Sequence, residues 1–107
     1  MKHIVTVLTA ATGFAFATGL QAADPKAAEE LARKSACMAC HTIDTRLVGP
    51  GFKEVAAKYK GQKEAIAMLS DKVKKGGTGV WGQIPMPPNG NLSDEDAKTL
   101  VEWILEF

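Results

Sequence analysis

Residues 37–41 read Cys-Met-Ala-Cys-His and hold the side chains best suited to chemistry in this 107-residue chain. On a helical turn, Cys37, Cys40 and His41 occupy positions i, i+3 and i+4, so the two thiols and the imidazole project from one face. This is the spacing of c-type haem attachment, because each thiol can add across a haem vinyl group while the imidazole reaches the iron. The motif predicts one covalently bound haem c with His41 as an axial ligand.

Other uses of the two cysteines are chemically possible. A structural zinc site wants four protein ligands, whereas residues 23–107 contain two cysteines and one histidine. A thioredoxin-type dithiol needs a βαβ setting, which the helical pattern of the chain does not provide. A disulfide would leave His41 without a role, but export makes it possible, so a haem-free secreted disulfide domain stays open.

The second axial position of the iron is filled by a methionine, a lysine or nothing, because His3 lies in the segment expected to be removed. Met38 is inside the attachment turn, and Met68 lies in a helical pattern, where a methionine is typically core filler. Residues 84–89 read Ile-Pro-Met-Pro-Pro-Asn, and the three prolines stiffen the segment around Met86. Met86 is therefore the favoured ligand.

Ligation by His41 and Met86 would raise the reduction potential of the iron and close it to oxygen and peroxide. The result is electron transfer without substrate chemistry, so we expect an electron carrier and no enzyme. The alternative is a five-coordinate haem, as in a peroxidase or a gas sensor. The rigid methionine segment and the short chain count against it.

Residues 1–22 predict a secretory signal peptide that is cleaved. Lys2 precedes an uncharged, mostly apolar stretch, which ends in small residues suited to a signal peptidase. Cleavage after Ala22 leaves residues 23–107 as one periplasmic domain, and cleavage after Ala23 is the alternative. Threonines and a glycine dilute the apolar stretch, so we expect no stable membrane insertion.

Composition restricts the kind of partner. The chain has 13 Lys and Arg against 12 Asp and Glu, and its net charge of +1 gives no basic field for nucleic acid. Acids concentrate in residues 94–106, whereas lysines precede them, and such a dipolar distribution can orient transient docking to redox partner proteins. We expect a monomer, because no large apolar stripe remains once the helices pack. The candidate docking lysines are Lys53, Lys58, Lys60, Lys63, Lys72, Lys74 and Lys75.

Apolar periodicity predicts an all-α fold, since no stretch alternates apolar and polar residues as a strand does. The four predicted helices run from Pro25 towards Cys37, over residues 52–59, from near Gln62 to Gly76, and from the N-cap Ser93 through Leu105. The connection over residues 76–92 holds five glycines and three prolines, a length usually associated with function. Trp81, Ile84 and Met86 within it indicate packing against something apolar.

The chain resembles the small bacterial class I cytochromes c of the c-551/c-552 type over nearly all of residues 23–107. The likeness rests on the haem motif together with Ile43-Asp44-Thr45, Val48-Gly49-Pro50, Val55-Ala56-Ala57-Lys58, Gly79-Val80-Trp81-Gly82 and residues 84–89. The resemblance implies four helices around one covalent haem. It also implies a periplasmic carrier between a donor, such as a quinol-oxidising complex, and an acceptor, such as a nitrite reductase or terminal oxidase.

The resemblance also implies roles for individual residues. Pro50 resembles the proline whose neighbourhood orients the proximal histidine through a backbone carbonyl. Trp81 resembles a tryptophan that donates its indole N–H to a haem propionate, the alternative being a core aromatic. Asn89 resembles a residue that hydrogen-bonds near the methionine sulfur, the alternative being a turn asparagine. By the same resemblance, the thioether positions would be Cys37 and Cys40, and the axial ligands His41 and Met86.

Two positions depart from the family pattern. Residues 89–92 appear one residue longer than in close relatives, which alters the support behind Met86. Ala32 stands where several relatives carry an aromatic side chain that packs on the C-terminal helix near Trp103. From the sequence, Ala32→Phe is therefore expected to raise the thermal midpoint.

Overall fold

The computed structural model describes residues 9–13 and 24–107. Apart from residues 9–13, the predicted signal peptide lies outside the described residues, as does its boundary at Ala22, so that division of the chain stays a prediction. Within the described ranges, no helix has the length and apolarity needed to cross a membrane.

Residues 24–107 form four α-helices and one short 3₁₀ helix, and this part of the chain contains no β-strand. The predicted all-α fold is therefore confirmed. A single isolated antiparallel bridge joins Gly77 and Met86. The helices are α1 (Pro25–Lys34), α2 (Phe52–Lys58), α3 (Ala65–Lys75) and α4 (Asp94–Leu105), with the 3₁₀ helix at Cys37–Ala39.

Helix α1 ends before the haem motif, whereas the sequence predicted that it would continue towards Cys37. It begins where predicted, with the Asp24 side chain accepting the Lys26 N–H. It ends because Ala36 takes a left-handed conformation with φ +59°, which reverses the chain. The expected grouping of side chains survives in the next turn, since the N–H groups of Cys40 and His41 both donate to the Cys37 carbonyl.

The other helix boundaries follow the sequence closely, with one exception. Helix α3 begins at Ala65 rather than near Gln62, because the intervening residues form turns. Helix α4 has the predicted cap, in which the Ser93 hydroxyl accepts the Asp96 N–H at 3.0 Å. Three acidic residues in its first turn complement the positive end of the helix dipole.

The core forms where α4 packs against the other three helices. Ala28 and Ala32 of α1 are fully buried and belong to the same cluster as Leu100 and Trp103 of α4. The small α1 side chains allow the two helices to approach closely. Met68, in contrast, is 47% exposed, so its expected core position is wrong; the buried residues of α3 are Ala65 and its neighbour Leu69.

Candidate functional site

The predicted haem-binding residues converge on one cleft of about 310 Å³. Cys37, Cys40 and His41 line it together with Met86, although Met86 is 45 residues away from His41 in the sequence. Among the described residues of the lining there is no aspartate or glutamate, and the charged side chains are Arg46 and Lys72. The remaining lining is mainly aliphatic and aromatic, which suits a large, flat apolar group.

The two thiols are free and partly buried. Burial raises the pKa of the Cys37 thiol above its usual range, and a backbone hydrogen bond only partly opposes this. Catalytic dithiols carry a cysteine whose pKa is lowered to favour the thiolate. The opposite direction at Cys37 argues against a thioredoxin-type use of this pair.

The His41 ring is fixed in orientation by its neighbours. Its Nδ1 atom lies 2.8 Å from the Pro50 carbonyl oxygen, an acceptor that places the ring proton on Nδ1 and leaves the Nε2 lone pair free for a metal. The Phe52 ring stacks on it at 5.3 Å between centroids, with 24° between planes. At Gly49, an added Cβ would lie 2.6 Å from the imidazole Cε1, so only glycine fits beside the ring.

Met86 is held by the backbone of the segment that follows α3. Gly77 and Met86 exchange two hydrogen bonds, with the Met86 N–H donating at 2.7 Å and the Gly77 N–H at 3.1 Å. Gly76 precedes this bridge at φ +73°, and a side chain there would collide with the Met86 carbonyl. The sequence marked Gly76 only as the end of the third predicted helix, and the contacts of Gly76 and Gly77 with the Met86 segment are visible only in the structure.

Trp81 and Asn89 have different relations to the cleft. Trp81 lines it, and the Lys58 ammonium lies 5.6 Å from the centre of the indole ring. Asn89 does not line the cleft; its backbone N–H donates to the Val73 carbonyl at 3.1 Å and so ties the segment to α3. The roles of both side chains toward haem stay predictions.

Sequence reasoning missed Arg46. Its guanidinium lies at the cleft and donates a hydrogen bond to the Trp81 carbonyl oxygen, 35 residues away in the chain. No sequence signal distinguished this arginine from an ordinary exposed one. We call residues 40–51, which include His41, the proximal loop, and residues 76–92, which include Met86, the distal loop.

This arrangement fits a haem better than a bare metal ion. Two free thiols, an imidazole with one available nitrogen and a thioether share a mostly apolar cleft, and a glycine leaves room beside the ring. In the described part of the chain, no group of three or more His, Cys, Asp or Glu side chains could hold a metal ion alone. A structural zinc site therefore lacks its ligands there.

Comparison with known proteins gives a consistent result. The sequence profile of the family described as Cytochrome c matches residues 25–107. Cytochrome c-552 of Nitrosomonas europaea is 51% identical over 92 residues, covering 86% of this chain and 89% of that protein. Cytochrome c-551 of Pseudomonas aeruginosa is 49% identical over 105 residues, covering 98% of this chain and 97% of that protein.

Solved structures are similar to the same region. The crystal structure of wild-type Nitrosomonas europaea cytochrome c552 matches with a TM-score of 0.71 and 54% identity, covering 73% of this chain and 96% of that one. The class 1 cytochrome MtoD from Sideroxydans lithotrophicus ES-1 matches with a TM-score of 0.67 and 38% identity, covering 79% of this chain and 97% of that one.

Proposed function

The chain belongs to the cytochrome c family, and from this we propose that it is an exported one-electron carrier whose haem iron is ligated by His41 and Met86. Membership of the family makes it a small electron carrier with one covalently bound haem c, and not an enzyme. The observation that carries the proposed ligation is the convergence of Met86 and the three motif side chains on one cleft.

When bound, haem c supplies a centre that takes up and releases one electron. Cys37 and Cys40 would form its thioether bonds, and the Nε2 atom of His41 would bind the iron. The Pro50 carbonyl accepts the Nδ1 proton, which keeps the imidazole in one tautomer and increases its electron donation. The Phe52 ring limits rotation of the imidazole. These contacts favour the same ligand geometry in both oxidation states.

Met86 would be the second residue that binds the iron. Its backbone is fixed by the paired hydrogen bonds to Gly77 and by the flanking prolines, so little rearrangement accompanies a change of oxidation state. Occupation of that position by a thioether excludes small ligands and directs the chemistry to electron transfer. Trp81 and Asn89 are proposed to hydrogen-bond a haem propionate and the methionine environment, respectively.

The surface around the cleft supports transient docking. Four of the exposed large apolar side chains in the described region line the cleft, and Ile84 reaches 68% exposure. Exposed apolar groups around a functional opening suit a contact that forms and separates quickly. The four exposed apolar side chains that line the cleft are Leu47, Val48, Val80 and Ile84.

Charge provides a second contribution to docking. Of the candidate lysines, Lys53, Lys74 and Lys75 form ion pairs with acidic side chains. Within residues 24–107 no such pair is present for Lys58, Lys60, Lys63 and Lys72, which leaves them to attract an acidic partner. We propose a periplasmic monomer that shuttles between a donor such as a quinol-oxidising complex and an acceptor such as a nitrite reductase or terminal oxidase.

The first test is the absorption spectrum of the exported protein, oxidised and then reduced with dithionite, together with a haem stain of a denaturing gel. Stained protein with a sharp reduced α-band and a weak far-red sulfur-to-iron band supports His/Met ligation.

The variant Met86→Ala is expected to abolish the far-red band, lower the reduction potential and allow rapid carbon monoxide binding. Met68→Ala, at an exposed methionine outside the cleft, is the matched control and should retain all three properties. An unchanged spectrum and potential in Met86→Ala would reject Met86 as the ligand.

A further inference from the structure

The proximal and distal loops meet across the cleft through very few polar contacts. In the described residues, the hydrogen bond from the Arg46 guanidinium to the Trp81 carbonyl is the only hydrogen bond or ion pair that joins them. The side of the cleft that holds His41 is therefore connected directly to the side that holds Met86 by one arginine.

Each end of this contact belongs to an internally braced turn. In the proximal loop, the Thr42 hydroxyl donates to the Thr45 carbonyl at 2.6 Å, immediately before Arg46. In the distal loop, the Gly79 N–H donates to the Gly82 carbonyl at 2.9 Å and closes a turn around Trp81. Gly79 and Gly82 have φ values of +100° and +129°, so that turn depends on its glycines. The guanidinium thus links two turns that already have a defined shape.

We propose that Arg46 is a positioning residue that clasps the distal loop to the proximal loop and restrains the opening of the segment that holds Met86. This inference rests on the proposed ligation by Met86. Arginine suits the task because its planar, always charged guanidinium donates to a carbonyl in a fixed direction at any physiological pH. Without the clasp, the distal loop keeps its attachment to α3, since the N–H groups of Gly76 and Asn89 donate to the Lys72 and Val73 carbonyls, but it loses its direct polar tie to the His41 side.

The clasp makes a kinetic prediction for the haem-loaded protein. If Met86 must leave the iron before an added ligand can bind, the rate of imidazole binding to the oxidised protein reaches a plateau that reports loop opening. Loss of one exposed, charge-assisted hydrogen bond should raise the plateau by about fivefold in Arg46→Met. Arg46→Lys retains the charge and a donor but loses the planar guanidinium, so its plateau should lie between those of Arg46→Met and the unsubstituted protein.

A matched control separates the hydrogen bond from the loss of a positive charge. Lys26→Met removes the same charge from an exposed side chain that neither lines the cleft nor forms an ion pair within the described residues. The plateau rate of imidazole binding to this variant should be unchanged. An Arg46→Met plateau equal to that of the unsubstituted protein, or a Lys26→Met plateau raised as much, would overturn the clasp.

Amide hydrogen exchange supplies a readout that does not depend on ligand binding. In Arg46→Met, exchange of the Gly79 and Met86 amides should accelerate, whereas exchange of the Leu100 amide in α4 should not. Unchanged exchange at Gly79 and Met86 would also overturn the inference. Failure of the underlying ligation has a different signature: imidazole binding to the unsubstituted protein would show no plateau, and Met86→Ala would bind it at the same rate.

Discussion

Gly76 and Gly61 form a natural pair for testing how the distal loop is held. Both have left-handed φ values, +73° and +76°, but they differ in surroundings. An added Cβ at Gly61 meets nothing within 4 Å, whereas at Gly76 it lies 2.9 Å from the Pro88 nitrogen and 3.1 Å from the Pro87 carbonyl carbon, and it collides with the Met86 carbonyl. Replacing each glycine by alanine therefore compares a positive-φ site in open space with one that the Met86 segment also constrains.

An alanine at positive φ costs roughly 1–2 kcal/mol. At Gly76, where ψ is −174°, the conformation is one that essentially only glycine adopts, so the backbone cost there is at least as large. The gain from stiffening the unfolded chain is common to both variants, so it cancels in their comparison. Overpacking at Gly76 adds about 1–3 kcal/mol, because the atoms it meets are backbone atoms that cannot rotate away. At about 4 °C or more per kcal/mol for a domain of this size, Gly76→Ala should melt at least about 4 °C below Gly61→Ala.

The decisive assay is ligation rather than stability. Gly76→Ala should displace the paired hydrogen bonds between Gly77 and Met86, weaken the far-red band and lower the reduction potential, whereas Gly61→Ala should leave band and potential unchanged. Thermal melts and redox titrations of both haem-loaded variants test this. Equal melting points with equal potentials would refute the conclusion that Gly76 positions Met86.

Three further predictions follow from charges and packing. Rates of electron transfer with an acidic partner should fall as salt rises from about 10 mM to 1 M, and a flat profile would reject charge steering. The Lys74 ammonium holds the pKa of Asp94 below its usual range, so this pair contributes stability above the unfolded pKa of the carboxyl and loses it as pH falls through the folded value. Asp94→Asn should therefore show a smaller loss of melting temperature between pH 7 and pH 3. Ala32→Phe should lower the free energy of unfolding by about 1–3 kcal/mol, and with it the thermal midpoint, contrary to the expectation from sequence. The reason is that Ala32 is fully buried in a cluster against which Met38 already packs. A higher midpoint would contradict this packing.

The helices could be predicted because their signals are local. The Ser93 cap lies three residues from the N–H it accepts, and the apolar positions of α4 repeat within one segment. The left-handed turn at Ala36 had no such signal, since alanine normally favours helix. The core position of Met68 was predicted wrongly for a related reason. Which of two adjacent residues of α3 is buried depends on how the helix is rotated, and its packing against α4 determines that rotation.

The candidate site divides in the same way. On the proximal side, the motif identified the two cysteines and His41, and the family resemblance identified Pro50, whose carbonyl lies at the His41 ring. On the distal side, Met86 and Trp81 were predicted, but the contacts that support them were not. The Gly77 bridge spans the same separation of nine residues as the His41–Pro50 contact but belongs to no motif, and the Arg46 contact joins residues 35 positions apart. No periodicity or composition encodes such a meeting.

This difference implies that the two sides of the iron differ in local stability. His41 is held by a hydrogen bond to Pro50, a ring stacked on it and a glycine packed beside it, all within 11 residues of the chain. Met86 depends on a long loop that is paired with itself at Gly77, attached to α3 at Asn89 and hydrogen-bonded to the proximal loop by one arginine. Local opening begins where buried contacts are few and backbone hydrogen bonds are exposed. The methionine side should therefore open before the histidine side as the protein is destabilised, and the strength of the distal attachments should determine how long the carrier keeps its potential.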